Sequence, residues 1–360
     1  MYDIILAFIT SFSLTYMVIP AIIRIAINKN LFDEPNERKS HRIRTPSLGG
    51  IAIFAGVLFA MLFWSSQTAF AQMQFFFCSF IILFLIGAKD DIEPIAPLKK
   101  LLGQILAAGI LVIKSNVLIT SLYGIFGVYE LPYAVSVLFT IFTIIVIINS
   151  FNLIDGINGL TACIGILISS TLGIWFLLVG HLELSITAFA LVGSLLAFLR
   201  FNITPARIFM GDTGSLLVGL ISSILIISFI ELHREIPNSV YAFKSAPAIA
   251  IGILILPLFD TLRVFIVRIS KGKSPMYPDR AHIHHLLLDY GLNHMQATGV
   301  LVLTNILFIV FVVTFQDLGS LTLIFIMLIV STFLAQWLYK AVQNKSRSEF
   351  IRTKNTHLVR

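Results

Sequence analysis

Long apolar runs, separated by short polar or glycine-bearing loops, fill the chain from its first residues to about residue 340. A helix that crosses a bilayer needs roughly 20 predominantly apolar residues. Runs of that kind fall near 3–27, 48–65, 70–87, 99–119, 131–149, 160–180, 184–200, 214–231, 246–267, 298–315 and 320–339. The pattern predicts an all-α, polytopic membrane protein of eleven spanning helices, with Lys114 interrupting the fourth. There is no internal repeat and no soluble domain. Residues 1–339 read as one multi-pass domain and 340–360 as a basic cytoplasmic tail that lies on anionic lipid or is loosely ordered. The first run lacks a basic start and a small-residue cleavage site, so it reads as a span and not as a cleaved signal.

Composition strengthens this picture. Hydrophobic residues make up 58% and charged residues 12% of the 360 positions, and mean hydropathy is +0.95, against about 25% charged in an ordinary soluble domain. A water-soluble enzyme and a free nucleic-acid binder are excluded. The net charge of +7 is unevenly spread: 22 of the 25 Lys and Arg fall in alternate connections and the tail, leaving only Lys114, Arg234 and Lys244 in the others. Because cytoplasmic loops carry the Lys/Arg excess, the N-terminus is expected outside and the C-terminus in the cytoplasm. Cys78 and Cys163 both lie in apolar runs, which argues against a disulfide framework.

The basic loops also hold the unusual chemistry. Asp90 and Asp91 close the third run, and adjacent carboxylates at a membrane edge need a cation, a lysine or water beside them; Lys99 and Lys100 follow one short loop later. In 149–160, Asn149, Asn152 and Asp155 share one helical stripe, and Gly156 and Gly159 permit close backbone approach. Gly211-Asp212-Thr213-Gly214-Ser215 leads into the eighth run, combining helix-capping residues with an acid suited to a Mg²⁺ shared with phosphates. His282, His284 and His285 follow Asp279 and Arg280, in a basic setting suited to phosphate. Asp260, inside the ninth run, is an intramembrane ionisable residue, with Arg263 one turn on as a pairing partner.

Together these segments identify the chain as resembling the polyprenyl-phosphate N-acetylhexosamine-1-phosphate transferases, within them most closely the bacterial undecaprenyl-phosphate GlcNAc-1-phosphate transferase branch. The segments that carry the resemblance are Gly87–Asp91 with Lys100–Gln104, Asn149–Leu160, Phe209–Gly219 and Ser274–His285. The resemblance implies a Mg²⁺-dependent enzyme, with Mn²⁺ as a substitute, in the bacterial inner membrane. It would transfer a sugar-1-phosphate from a UDP-N-acetylhexosamine to undecaprenyl phosphate, release UMP and begin an O-antigen, common-antigen or teichoic-acid polymer. It implies Asp212 and Asn152 as the metal pair, and Asp90, Asp91, Lys100 and Asp155 as catalytic residues. Asn149, Asn158, Arg280, His282, His284, His285 and Arg42, the last alongside His41, would hold nucleotide, sugar or phosphate. It also raises a homodimer. One departure stands out: bacterial members commonly carry an acid where this chain has Asn158.

Three other readings compete. A secondary transporter would place its polar residues near the bilayer midplane and show an inverted repeat, whereas this chain gathers them at one face. The same reaction on another UDP-N-acetyl sugar, and the phospho-MurNAc-pentapeptide transferase branch, remain distinct within the resemblance.

Overall fold

The computed structural model describes residues 1–32, 45–274 and 281–358, with side chains described except at 67–72 and beyond 345. Its centre is helix α8 (Gly211–Glu235), whose sequence has no polar face to offer the surroundings: 17 of its residues are buried, from Thr213 to His233. Around it pack α2 (Gly49–Trp64), α3 (Gln67–Ile92), α5 (Tyr133–Ile154), α6 (Leu160–Leu178), α7 (Leu182–Asn202) and α9 (Ala246–Ile253). α1 (Tyr2–Asn28) lies against α2 and α7, and α4 (Pro97–Lys114) against α3 and α5. The last part of the chain forms α10 (Ile255–Ser270), the short α11 (Ile283–Tyr290), α12 (His294–Thr314) and the long α13 (Ser320–Leu358).

Each expected run is helical. Seven helices among the described residues are long and apolar enough to cross a membrane: α1, α5, α6, α7, α8, α12 and α13. The ninth run is not one straight helix, for α9 and α10 meet at a 77° bend and would make an eighth span only as a pair. α2, with 16 residues, is shorter than a usual span. The fourth helix stops at Lys114, five residues before the expected end, because the chain turns into a hairpin of β1 (Ser121–Ile125) and β2 (Val128–Glu130).

Connections sort to two ends of the bundle. At one, the hairpin is tied to the C-terminal end of α8: Glu231 accepts from the Thr120 amide at 2.8 Å and hydroxyl at 2.7 Å, and Arg234 reaches Glu130 at 3.0 Å. The loop before α9 joins the turn before α13 through Lys244 and Asp317 at 2.8 Å. At the other end, the C-termini of α3, α5 and α7 meet the N-terminus of α8.

Lipid is as apolar as leucine, so helices in it associate through close packing and hydrogen bonds. The α1–α2–α7 contact shows this. Ser11 donates to Ala190 O at 2.6 Å, Thr15 and Ser194 are 2.6 Å apart, and Thr15 and Ser194 each donate to an α2 carbonyl, Ala52 O and Ile53 O, at 3.2 Å. Gly56 leaves the space that the Thr15 and Ser194 hydroxyls occupy. Gly56→Leu is expected to push α1 off α2 and to lower stability by about 1–3 kcal/mol, as overpacking does; a melting temperature in detergent equal to wild type would refute this packing account.

Candidate active site

The start of α8 is built by a carboxylate from another helix. The first N–H groups of a helix have no partner within it, and the helix dipole favours negative charge there. Asp91, in the last turn of α3, supplies both needs. Its Oδ1 accepts from the Asp212 amide at 2.7 Å, and its Oδ2 accepts from the Thr213 amide at 3.0 Å and the Thr213 hydroxyl at 2.6 Å. Gly211 makes the approach feasible: it has φ +71° and a side chain there would meet the Asp91 carboxylate.

Asp90 turns the other way. Its Oδ1 accepts from the Ile95 amide at 2.7 Å, which shapes the α3–α4 connection, and its Oδ2 accepts from Lys100 at 3.2 Å. Lys100 also contacts Asp212, while the other Asp212 oxygen accepts from the Asn152 amide at 2.8 Å. Asn152 donates as well to Ser215 at 3.0 Å. Three helices thus converge on Asp212.

These groups line a cavity of about 500 Å³ at this end of the bundle, with Asp90, Asp91, Asn152, Asp155, Asn158, Asp212 and His285 in its wall beside Phe32, Ser47, Asn202 and Phe209. Among the described residues the cation that meets its carboxylates is Lys100. Asp155 ends α5 at the wall, and burial pushes its carboxyl up to about 7. The following loop is held by its backbone. The Asn158 amide donates to His294 Nδ1 at 3.3 Å, and the Gly159 amide donates to Asn202 Oδ1 at 2.7 Å. The Asn158 side chain donates to Thr204 at 2.9 Å.

The three histidines separate by role. His282 Nδ1 lies 2.9 Å from Asp260 Oδ2, and Asp260 Oδ1 accepts from the Ile283 amide at 2.9 Å. His284 is buried with its ring edge against Gly156, and burial together with His285 holds its pKa well below the usual histidine range. Of the three, His285 lines the cavity. Asp260 is therefore engaged mainly with the histidine segment; Arg263 stands 3.8 Å away and donates instead to Ala281 O at 2.7 Å.

The expected site residues Asp90, Asp91, Lys100, Asn152, Asp155, Asn158, Asp212 and His285 are brought together. Asn149 is not. Its amide pairs with Gln104 across α4 and α5, at 2.8 and 3.3 Å, and lies outside the cavity wall. Arg42 and His41 (within 33–44) and Arg280 (within 275–280) lie outside the described residues. Sequence reasoning missed Asn202, Ser215 and His294, which hold the loop and the Asp212 partner in place. An amide at the end of an apolar run was the available signal for Asn202.

The oxygen-rich wall suits a hard divalent cation. No group of three acidic, histidine or cysteine side chains among the described residues is arranged to hold one, so the fit is to an ion bound by one or two carboxylates and completed by phosphate oxygens and water.

Comparison with known proteins supplies the relationship. Residues 73–230 match a profile of glycosyl transferase family 4, a stretch that contains every cavity acid named above. The chain is 34% identical over 93% of its length, and 92% of the relative's, to the probable undecaprenyl-phosphate N-acetylglucosaminyl 1-phosphate transferase of Bacillus subtilis (strain 168). It is 34% identical to the undecaprenyl-phosphate alpha-N-acetylglucosaminyl 1-phosphate transferase of Haemophilus influenzae, over 74% of each chain. To the decaprenyl-phosphate N-acetylglucosaminephosphotransferase of Mycolicibacterium smegmatis it is 30% identical, over 80% of this chain and 76% of that one.

The raised Asp155 carboxyl has a measurable consequence. Between its ordinary value of 3.8 and about 7 the folded, metal-free protein binds a proton that the unfolded chain has lost, so stability falls as pH rises through that window. Asp155→Asn is expected to make this slope shallower. Melting profiles of metal-free wild type and variant with equal slopes over the window would contradict it.

Proposed function

The chain belongs to glycosyl transferase family 4, the polyprenyl-phosphate N-acetylhexosamine-1-phosphate transferases, and from that membership we propose the reaction that its cavity performs. It transfers GlcNAc-1-phosphate from UDP-GlcNAc to undecaprenyl phosphate, consistent with the names of its relatives. A phosphate oxygen of the lipid attacks the β-phosphorus of the UDP-sugar, and the bond from that phosphorus to the bridging α–β oxygen breaks. UMP leaves with the electron pair, and a sugar-diphospho-lipid remains as the first membrane-bound intermediate of a cell-surface polysaccharide. The bacterial inner membrane is the setting we propose, with the cavity on the cytoplasmic leaflet; the 22-to-3 division of basic residues supports that face.

The observation that carries this reading is a cavity that, among the described residues, brings together four carboxylates, a partnering lysine and a helix N-terminus. Two anions, a diphosphate and a lipid phosphate, have to meet there. Each pair of unit charges 4 Å apart repels by about 4 kcal/mol at an effective dielectric of 20. Phosphoryl transfer depends chiefly on positioning and charge neutralisation. A Mg²⁺ bound by Asp212, with Asn152 beside it, would neutralise the diphosphate oxygens and activate the β-phosphorus. Lys100 holds Asp90 and Asp212 together and is the residue placed to meet a phosphate when one enters. Asp91 has both oxygens committed to α8, so we assign it the part of fixing Asp212. A phosphate monoester with a second pKa near 6 is largely dianionic at pH 7, so no base is required. His285 and Asn158 line the same cavity, and we assign them to the sugar or the uracil.

Purified protein with undecaprenyl phosphate, Mg²⁺ and a panel of UDP-sugars is expected to release UMP with UDP-GlcNAc most rapidly; no UMP from any sugar would end the transferase reading. Chelation by EDTA is expected to stop turnover, and added Mg²⁺ or Mn²⁺ to restore it. Asp212→Asn is expected to lower kcat by about 100-fold or more, on the scale of losing one preorganised electrostatic contact, with the melting temperature little changed. Retained turnover and Mg²⁺ dependence in that variant would remove Asp212 as the metal residue.

A further inference from the structure

Asn305, in the middle of α12, is fully buried and faces the bend between α9 and α10. A bend of 77° leaves backbone groups exposed that a straight helix would pair, and apolar surroundings do not replace them. The deficit can be located. Pro257, in the first turn of α10, has no N–H, and in a continuous helix that N–H would go to the carbonyl of Ile253, four residues back. Leu256 N–H is one of the donors that every helix start leaves unpaired. Asn305 answers both: its Nδ2 donates to Ile253 O at 3.1 Å, and its Oδ1 accepts from Leu256 N at 3.2 Å. A carboxamide presents a donor and an acceptor side by side, matching the carbonyl and the amide that flank the bend. The walls around it, formed by Ile255, Phe259, Leu301 and Phe308, are apolar.

The bend matters because of what α10 carries. Asp260, one turn past it, holds the His282 ring and the Ile283 amide, which is the start of α11. α11 in turn brings His285 to the cavity wall. The chain of contacts runs from Asn305 through the α9–α10 angle and Asp260 to His285. We propose that Asn305 is a positioning residue of the transferase site: its carboxamide pins the angle between α9 and α10 and so sets where the histidine helix stands. The proposal rests on the transferase reading for its effect on turnover, but its structural core does not.

Asn305→Leu keeps the side chain's approximate size and removes both contacts. With nitroxide labels at exposed Ile266 of α10 and Leu303 of α12, introduced as cysteines where Cys78 and Cys163 have been replaced by alanine, pulsed EPR is expected to show a distance shift of several ångström in the Asn305→Leu protein. UMP release is expected to fall about 10–100-fold, the order seen when supporting groups are misplaced by about an ångström. Adding Pro257→Ala returns a donor to Ile253 and lets the helix run straighter. The double variant is expected to regain thermal stability while its label distance and turnover stay displaced. An unshifted distance in Asn305→Leu, or turnover recovering together with stability in the double variant, would overturn the proposal. Asn305→Ser carries the same measurements if the leucine protein does not fold. The label distance is read without substrate, so absence of UMP release from the unsubstituted protein would count against the transferase reading alone.

Discussion

The carboxylate of Asp91 on the first amides of α8 is the contact on which the site depends. It joins the end of α3 to the start of the central helix through two amides and a hydroxyl. Bonds from amides to an ionised carboxylate are about twice as strong as neutral ones. The clamp fixes the backbone at Asp212, and from there Asn152 and Lys100 take their positions. Adjacent acids in a sequence look like a pair sharing one ligand. Here they point apart, and that divergence lets one build the helix start while the other holds the lysine.

A second constraint is the cost of polar groups in lipid. The bundle meets it in two ways. Hydroxyls and amides within the spans pair with carbonyls of neighbouring helices, as Ser11, Thr15 and Ser194 do between α1, α2 and α7 and as Asn305 does at the α9–α10 bend. The cavity acids and His282, His284 and His285 collect at one end, where α3, α5 and α7 finish and α8 and α12 begin. The hairpin end holds a different kind of polar cluster, Glu231, Arg234 and Glu130 around Thr120, whose partners are all within the protein. The other end keeps four carboxylates facing a cavity, and among the described residues Lys100 is the lysine that meets them.

The sequence made the helices and the acid cluster legible, because a polar residue at the edge of an apolar run has little chemical camouflage. Asn152, Asp155 and Asp212 stood out for that reason, and all three reach the cavity. Asn149 lay on the same stripe but one turn earlier, where Gln104 of α4 is opposite it; the spacing could not show which neighbour each amide would meet. The histidines share a motif, yet alternate between the Asp260 side and the cavity side as α11 begins. Arg263 had the right spacing to pair with Asp260, but the His282 ring and the Ile283 amide come closer from a segment more than twenty residues on. The β-hairpin escaped notice because its ten residues sit between two apolar runs and are themselves mostly apolar. The bend in the ninth run was signalled only by Pro257, and a proline alone does not give the angle.

The net charge of +7 has to be read locally. Whole-chain charge describes how the protein meets lipid and which loops face which side, whereas the cavity is acidic, with Asp90, Asp91, Asp155 and Asp212 against Lys100. On the proposed reaction, an anionic substrate would meet these acids together with Lys100, and a bound cation would offset the repulsion between them. A cation held by the described acids is what would make the pocket a host for two phosphates on that reading. On the proposed reading the carboxylates serve as a socket for positive charge and not as attractants for the substrate. Asp91 is engaged by helix amides and Asp90 by lysine, and Asp155 is raised by burial toward its neutral form. This leaves Asp212, held by an amide on one side and a displaceable lysine on the other, as the acid best able to exchange its partner for a metal ion.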